Sequence, residues 1–271
     1  MRRGTITILF LSVLLLSPRL GAQDFDRAPF ERFDAESTDR LDFAPWATFL
    51  NTYVRADADG IHRLDYRKVG ELETKRLAAY VDELAGLEPH KLNRDEQMAY
   101  WINLYNALTV KTVLEHYPVE SIKEIALPPA AEGGGPWDAP LVEVLGAPLS
   151  LNDIEHRILR PIWADERIHY AVNCAAVGCP NLAAVPFTGR TLDGLLDRAA
   201  AAFINHPRAV ALDGDTLTLS SLFDWYGEDF GADREELLEH LAEHAASPLD
   251  EALEAFSGEI VFGYDWALNG F

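Results

Sequence analysis

Two cysteines carry the most reactive chemistry in this chain. Cys174 and Cys179 are the only cysteines among 271 residues, and both lie in a loop of small residues that follows the apolar run 168–172. That run predicts a buried strand, so Cys174 is expected where a strand ends and a loop begins. A thiol in such a place can act as a nucleophile if a nearby imidazolium or helix N-terminus lowers its pKa. Cys174 is therefore the candidate nucleophile, with Cys179 as a structural neighbour or a resolving thiol.

Two histidines could serve this thiol. His156 lies on a short predicted helix, and His169 lies on the predicted strand that precedes the cysteines. Because side chains alternate along a strand, His169 is expected on the face opposite to Cys174. His156 is therefore the preferred general base, since histidine titrates near neutral pH. Asp224, in a later predicted helix, could supply a carboxylate to a histidine.

Two asparagines stand in an unusual place. Asn103 and Asn106 are three residues apart and share one face of a long predicted helix. Asparagine is a poor residue for a helix interior and is costly to bury without hydrogen bonds. These amides either tie neighbouring loops to the helix, or line a cleft where they orient a substrate and stabilise an oxyanion. The other residues expected in the same cleft are Glu96, Tyr100, Asn173 and Cys179.

The cysteines also permit three uses without a nucleophile. In an oxidising compartment they could form a disulfide, since four intervening residues allow closure. A zinc site with His156 or His169 is disfavoured, because the gap is long for a zinc knuckle and no second cysteine pair exists. They could also be buried and inert. We predict no metal and no cofactor, and the sequence contains no glycine-rich phosphate loop.

The residues that carry chemistry must be positioned by helices and hairpins in irregular order. The strongest helix signal covers 94–116, where Asn93 is the expected cap and Pro118 follows the end. Other helices are predicted over 45–54, 72–84, 153–159 (stopped by Pro161), 192–205, 222–226 and 234–245. Strands are predicted over 61–66, 142–144, 147–149, 168–172, 210–212, 216–219 and 260–264. This order favours an α+β fold: a single helix-rich domain with a small mixed or antiparallel sheet. The Gly/Pro-rich stretch 128–140 predicts a long loop or lid.

The ends and the charge of the chain bear on its location. Residues 1–22 are typical of a signal peptide, 23–44 of a flexible lead-in, and 45–271 of the domain, which predicts a periplasmic or secreted protein. Cleavage would remove three arginines and no acidic residue, so the formal charge of −21 would become −24. Such an acidic chain disfavours nucleic-acid partners. The apolar run of the leader is too short to span a bilayer, so no membrane span is expected in the mature chain.

Five ordered motifs resemble the domain of unknown function 547 family, as an exported member of bacterial type. They are EQMAYWINLYNALTV at 96–110, YPVESI at 117–122, LSLNDIEH at 149–156, IHYAVNCAAVGCP at 168–180 and SSLFDWYGEDF at 220–230. The resemblance spans roughly residues 45–265 and implies no established reaction. It favours Cys174 over Cys179 as the chemically special thiol, with His156 as its companion.

The leading hypothesis is a thiol-dependent hydrolase or acyl transferase that uses a Cys174–His156 pair. A papain- or transglutaminase-like arrangement would have to be permuted, because here the histidine precedes the cysteine. The alternatives are a non-catalytic periplasmic binding module for a small thiol or peptide, and a redox-switched dithiol protein. The expected partner is a small molecule or a peptide.

Overall fold

The helix α4, Arg94–His116, is the centre of the fold and has the bounds that the sequence predicts. The computed structural model describes residues 25–129 and 133–271. Asn93 caps α4, and its side-chain oxygen accepts the backbone N–H of Glu96 at 3.0 Å. Nearly every residue from Glu96 to Val113 is buried. A helix that is apolar on all sides must be surrounded by other elements, and α4 is.

The remaining elements surround α4 or extend from it. In the described residues the other α-helices are α1 (Ala28–Glu31), α2 (Ala44–Tyr53), α3 (Glu71–Ala85), α5 (Arg160–Trp163), α6 (Ile168–Ala171), α7 (Leu192–Ile204), α8 (Leu222–Trp225), α9 (Gly227–Phe230), α10 (Arg234–His244) and α11 (Leu249–Glu254). The strands are β1 (Val54–Ala56), β2 (His62–Leu64), β3 (Val142–Val144), β4 (Ala147–Leu149), β5 (Val210–Asp213), β6 (Thr216–Ser220) and β7 (Glu259–Gly263). A π-helix, Asp153–Leu159, precedes α5.

The strands form three small sheets. β1 pairs with β2, and β3 with β4, each as an antiparallel hairpin. β5, β6 and β7 form one mixed sheet, in which β5–β6 is antiparallel and β6–β7 is parallel. The predicted α+β, helix-rich domain with a small mixed sheet is therefore confirmed.

Two hydrophobic clusters meet at the short helix α6. The larger cluster surrounds α4, and the smaller one joins α7 and α10 to the mixed sheet. Ile168 and Ala171 of α6 belong to the larger cluster, whereas Tyr170 belongs to the smaller one. The segment that leads into the cysteine loop is thus held from both sides.

The strand predicted over 168–172 is wrong, because this segment is the helix α6. The backbone N–H of His169 donates to Glu166 O at 3.1 Å, and that of Val172 donates to Ile168 O at 3.1 Å. A single buried turn of helix and a buried strand have the same short apolar pattern, which periodicity cannot separate. The expectation that His169 faces away from Cys174 depended on strand alternation and fails with it.

The helix that Pro161 was expected to stop continues to Trp163. Proline is tolerated in the first turn of a helix, where no N–H is needed, and Pro161 occupies that position in α5. The π-helix continues directly into α5, and the N–H of Arg160 at the junction donates to Glu155 O, five residues earlier.

The described part of the expected flexible lead-in packs against the domain. Phe30 and Phe43 are buried, and the Gln97 side chain donates to the backbone oxygen of Arg32 at 2.8 Å. Phe30 and Phe43 thus belong to the hydrophobic cluster around α4, while most other residues of 25–44 are exposed. The signal peptide predicted over 1–22 lies outside the described residues. Within the described chain, helices of sufficient length and hydropathy to cross a bilayer are absent.

Candidate functional site

A cavity of ≈ 380 Å³ brings together the cysteines and the histidines that the sequence singled out. Cys174, Cys179, His156 and His169 all line it. Its walls come from both hydrophobic clusters, since Tyr105 and Val172 lie on one side and Leu222 and Tyr226 on the other. A volume of a few hundred Å³ is typical of small-molecule sites.

The two thiols of the cavity differ in character. Both are free, with Cys174 half-buried and Cys179 buried. The Tyr264 hydroxyl lies 3.1 Å from Cys174 Sγ, where it can donate to the sulfur once this is a thiolate. The Cys179 side chain, the Tyr264 hydroxyl and the Ala176 backbone lower the pKa of the Cys174 thiol despite burial, and Cys179 Sγ accepts the backbone N–H of Cys174 at 2.9 Å. Burial raises the pKa of Cys179 well above its ordinary value, so Cys174 is the thiol that ionises first.

The backbone around Cys174 is fixed by a helix amide and by the C-terminal segment. Asn106 donates to Ala171 O at 2.9 Å and accepts the N–H of Asn173 at 2.8 Å. Ala175 has φ 63°, the left-handed region that residues with a side chain seldom adopt. The N–H of Asn269 donates to Ala175 O at 2.9 Å. This bond holds the C-terminal segment, which includes Tyr264, beside the cysteine loop.

The π-helix places a carboxylate and an imidazole on the cavity from consecutive positions. Glu155 is buried and His156 is half-exposed, and both line the cavity. Burial opposes ionisation of Glu155, but the charge of His156 and the proximity of His169 outweigh it and lower the pKa of Glu155 to about 2. Burial lowers the pKa of His156, so its ring is neutral at pH 7 and carries the charge that acts on Glu155 only in more acidic solution. Arg160 lies 3.2 Å from His156 Nδ1.

His169 is buried between two carboxylates. Its Nε2 donates to Asp229 Oδ2 at 2.6 Å, and its Nδ1 lies 3.6 Å from Glu155 Oε1, too far for a good hydrogen bond. Burial disfavours the imidazolium, but the two carboxylates prevail and raise the pKa of His169. Asp229 also forms a two-bond ion pair with Arg160, at 2.6 and 2.9 Å. The ring of Tyr226 stacks on His169, with centroids 4.4 Å apart.

Aromatic side chains form the rim. Trp266 contacts Trp225 and Trp137, with ring centroids 5.6 and 5.7 Å apart, and Lys123 Nζ lies 4.8 Å from the Trp266 ring. Gly135 has φ 94°, and a Cβ there would lie 1.8 Å from the Trp137 ring, so only glycine fits. The Gly/Pro-rich loop thus supplies one wall of the cavity.

The structure separates the predicted site residues into two groups. Cys174, Cys179 and His156 line the cavity, whereas the other five are buried in the scaffold and do not line it. Those five are Glu96, Tyr100, Asn103, Asn106 and Asn173. Glu96 accepts the N–H groups of Leu41 and Gly189, and Tyr100 donates to Leu84 O. Asn103 hydrogen-bonds to the backbone of Phe187, and Asn173 donates to Pro180 O. The two asparagines therefore tie loops to α4, the first of the two interpretations.

Several residues of the site were missed from the sequence. Asp224, suggested as a carboxylate for a histidine, is exposed, and Asp229 takes that role. The LSLNDIEH motif contained Glu155, but the helical period alone did not show that Glu155 and His156 reach the same space. Tyr264 lies outside the quoted motifs, and no local signal in the sequence pointed to it.

The comparison with protein families identifies part of this architecture. Residues 89–204 match the family model described as "Protein of unknown function, DUF547". The segment is a DUF547 domain. It includes α4, the π-helix, α6 and both cysteines, while Tyr264 of the cavity and Asp229, the partner of His169, lie beyond the match. Neither the curated proteins nor the solved structures gave a match to the chain.

Proposed function

We propose that this DUF547 protein is a thiol-dependent hydrolase or acyl transferase with Cys174 as the nucleophile. The observation that carries the proposal is the contrast between the two thiols. Cys174 Sγ lines the cavity, and both the neighbouring Cys179 side chain and the Tyr264 hydroxyl, 3.1 Å from the sulfur, favour its thiolate. The thiolate is the nucleophilic form of cysteine and attacks a carbonyl carbon without first losing a proton to a base.

The proposal changes the role expected of His156. Arg160 carries only N–H donors, so His156 Nδ1 must accept from it at 3.2 Å, and the proton of the neutral ring resides on Nε2. Such a ring donates and does not act as a base. We assign His156 Nε2–H to the substrate carbonyl oxygen, where a neutral imidazole polarises the carbonyl and stabilises the developing negative charge.

The walls of the cavity define the kind of substrate. Trp137, Trp225 and Trp266 offer flat apolar surfaces, and Lys123 adds a positive charge beside them. A small acyl compound or a peptide end with an apolar body and an anionic or polar group fits these walls. Export to the periplasm or medium is part of the proposal and depends on the leader-like residues 1–22.

The proposal is tested by acylation with 4-nitrophenyl acetate. We expect a burst of nitrophenolate equal to the protein concentration, and an intact-mass gain of one acetyl group that fragment ions assign to Cys174. Cys174→Ala must lose both signals, and Cys179→Ala, as the matched control, must keep the adduct on Cys174. An adduct that survives Cys174→Ala, or no adduct in the wild type, would overturn the proposal. Saturable binding of a substrate analogue without any adduct would instead support the binding-module alternative.

The proximity of the two cysteines, with Cys179 Sγ 2.9 Å from the backbone nitrogen of Cys174, also favours a second candidate, a redox-switched dithiol. An accessible thiol of lowered pKa beside a buried thiol of raised pKa is the arrangement that thiol–disulfide exchange uses. Oxidation would form the S–S bond as an external disulfide takes up two electrons and the two thiol protons. Peptide mapping after equilibration in glutathione buffers tests it, and reduced cysteines in fully oxidised buffer would rule it out.

A further inference from the structure

Outside the cavity, two histidines and a glutamate converge on one point. His240 and His244 lie one turn apart on α10, and Glu166 lies in the turn before α6. One potential ligand atom from each of the three lies within 4.8 Å of the other two, and all three side chains are half-buried. Residues at i and i+4 of a helix share a face, so α10 presents both imidazoles to the same neighbour.

We propose that Glu166, His240 and His244 form a binding site for a zinc-class divalent cation. Two imidazole nitrogens and one carboxylate oxygen are a donor set that zinc uses when the fourth position is left to water. Zinc–ligand bonds of about 2.0–2.1 Å put tetrahedral ligand atoms about 3.4 Å apart. In the present arrangement the three atoms lie within 4.8 Å of one another, so binding the ion would bring them closer by up to about 1.4 Å.

The surroundings of His240 match those of a metal ligand. The Tyr170 hydroxyl lies 2.7 Å from His240 Nε2, and the Tyr170 ring lies parallel to the His240 ring at 6.1 Å. A histidine that binds a metal through one nitrogen is commonly held by a hydrogen bond at the other. Asn205 donates to the backbone oxygen of His244 at 2.9 Å and fixes the end of α10.

Glu166 lacks a cationic partner among the described side chains, although most acidic groups near it have one. Arg167, the next residue, pairs with Asp165, Asp193 and Asp197. A half-buried carboxylate beside two imidazoles and without an arginine or lysine is a reasonable cation ligand. No metal was predicted from the sequence, because only the cysteines and their neighbouring histidines were considered as ligands.

The site would fasten α10 to α6. The segment 166–174 holds Glu166 at one end and Cys174 at the other, with His169 of the cavity between them. A bound cation would therefore anchor the start of the segment on which the cavity depends. This inference requires no particular reaction in the cavity and goes beyond the proposed function.

The test uses the full chain without a histidine tag, treated with EDTA and then desalted. Titration with Co²⁺ is expected to give visible d–d absorption of a four-coordinate ion at one equivalent, and Zn²⁺ should displace it and raise the melting temperature. Glu166→Gln and His244→Gln should each weaken Zn²⁺ binding by more than about 100-fold. A loss of this size exceeds the effect of removing a residue that only hydrogen-bonds to a metal ligand. Circular dichroism checks that both variants fold.

Two controls separate this site from other ligands. His206→Gln, which changes a histidine elsewhere on the surface, should leave Co²⁺ binding unchanged. Cys174→Ala/Cys179→Ala should also retain it. Sulfur-to-cobalt charge-transfer absorption that disappears in the double cysteine variant would place the metal in the cavity and overturn the assignment. Absence of binding at micromolar metal, or full binding by both Glu166→Gln and His244→Gln, would overturn it as well.

Discussion

Removal of the Tyr264 hydroxyl tests the origin of the reactivity of Cys174. In Tyr264→Phe the thiolate loses a donor that lies 3.1 Å from Sγ. A hydrogen bond to a charged group contributes about 1.5–3 kcal/mol, and each 1.4 kcal/mol is a factor of ten, so the thiolate becomes about 10- to 100-fold harder to form. A less stabilised thiolate is also more nucleophilic, with a Brønsted coefficient of about 0.4–0.5. Once formed, the thiolate of Tyr264→Phe should therefore react about 3- to 8-fold faster than that of the wild type.

These opposing effects predict that the plots of alkylation rate against pH for the wild type and for Tyr264→Phe cross. Alkylation of Cys174 by iodoacetamide is measured from pH 5 to 10, with fragment-ion mass spectrometry to separate it from Cys179. Below the midpoints of both proteins Tyr264→Phe should react about 4- to 13-fold more slowly, and above both midpoints about 3- to 8-fold faster. The midpoint of the wild type should lie below that of an ordinary thiol, as its lowered pKa requires.

The matched control is Tyr226→Phe. Tyr226 lines the same cavity, but the described hydrogen bonds to the Cys174 sulfur do not include its hydroxyl. Its profile should superimpose on that of the wild type. If Tyr264→Phe leaves the midpoint unchanged, or if Tyr226→Phe moves it equally, the sulfur is not stabilised by the contact that the structure shows.

Three further predictions concern the scaffold. The pKa of Glu155 falls from 4.5 to about 2 on folding. Its ionised form therefore contributes about 3 kcal/mol to the free energy of unfolding above pH 4.5, and this contribution is lost toward pH 2. In urea unfolding, Glu155→Gln should lose less stability than the wild type over this pH range, and an equal loss would contradict the assignment. Asn106→Ala leaves two buried backbone groups unpaired beside Val172 and should cost about 2–5 kcal/mol in urea unfolding, whereas a cost under about 1 kcal/mol would show that water replaces the amide. Gly135→Ala should displace Trp137, change the tryptophan fluorescence and its quenching by acrylamide, and lower the melting temperature, because alanine is strained at φ 94°; unaltered quenching would refute the steric conflict.

The sequence predicted those elements whose signals are local. The bounds of α4 follow from Asn93 and Pro118, and the β3–β4 hairpin follows from the glycine at its turn, Gly146. In contrast, α6 was predicted as a strand, since its four buried residues are fixed by the two clusters that enclose them and not by their own propensity. Propensity decides little in a segment this short and this buried.

The site was predictable only as far as its two cysteines and one of its histidines. Cys174, Cys179 and His156 were found because their residue types are reactive in themselves. The groups that tune them are remote in sequence: Tyr264 lies 90 residues from Cys174, and Asp229 lies 60 residues from His169. No periodic pattern links such pairs, because they meet through the mixed sheet and the C-terminal segment, whose positions depend on the whole fold.

The π-helix has a consequence for how this cavity tolerates change in length. A π-turn amounts to one residue inserted into an α-helix, and each residue of an α-helix advances by about 100° around the axis. Deletion of one residue between Ile154 and Arg160 would restore ordinary helical winding and leave both flanking segments in register. Because Glu155 and His156 are consecutive, both side chains would turn together relative to the cavity, so a chain one residue shorter here would retain the architecture and present both groups to the cavity differently.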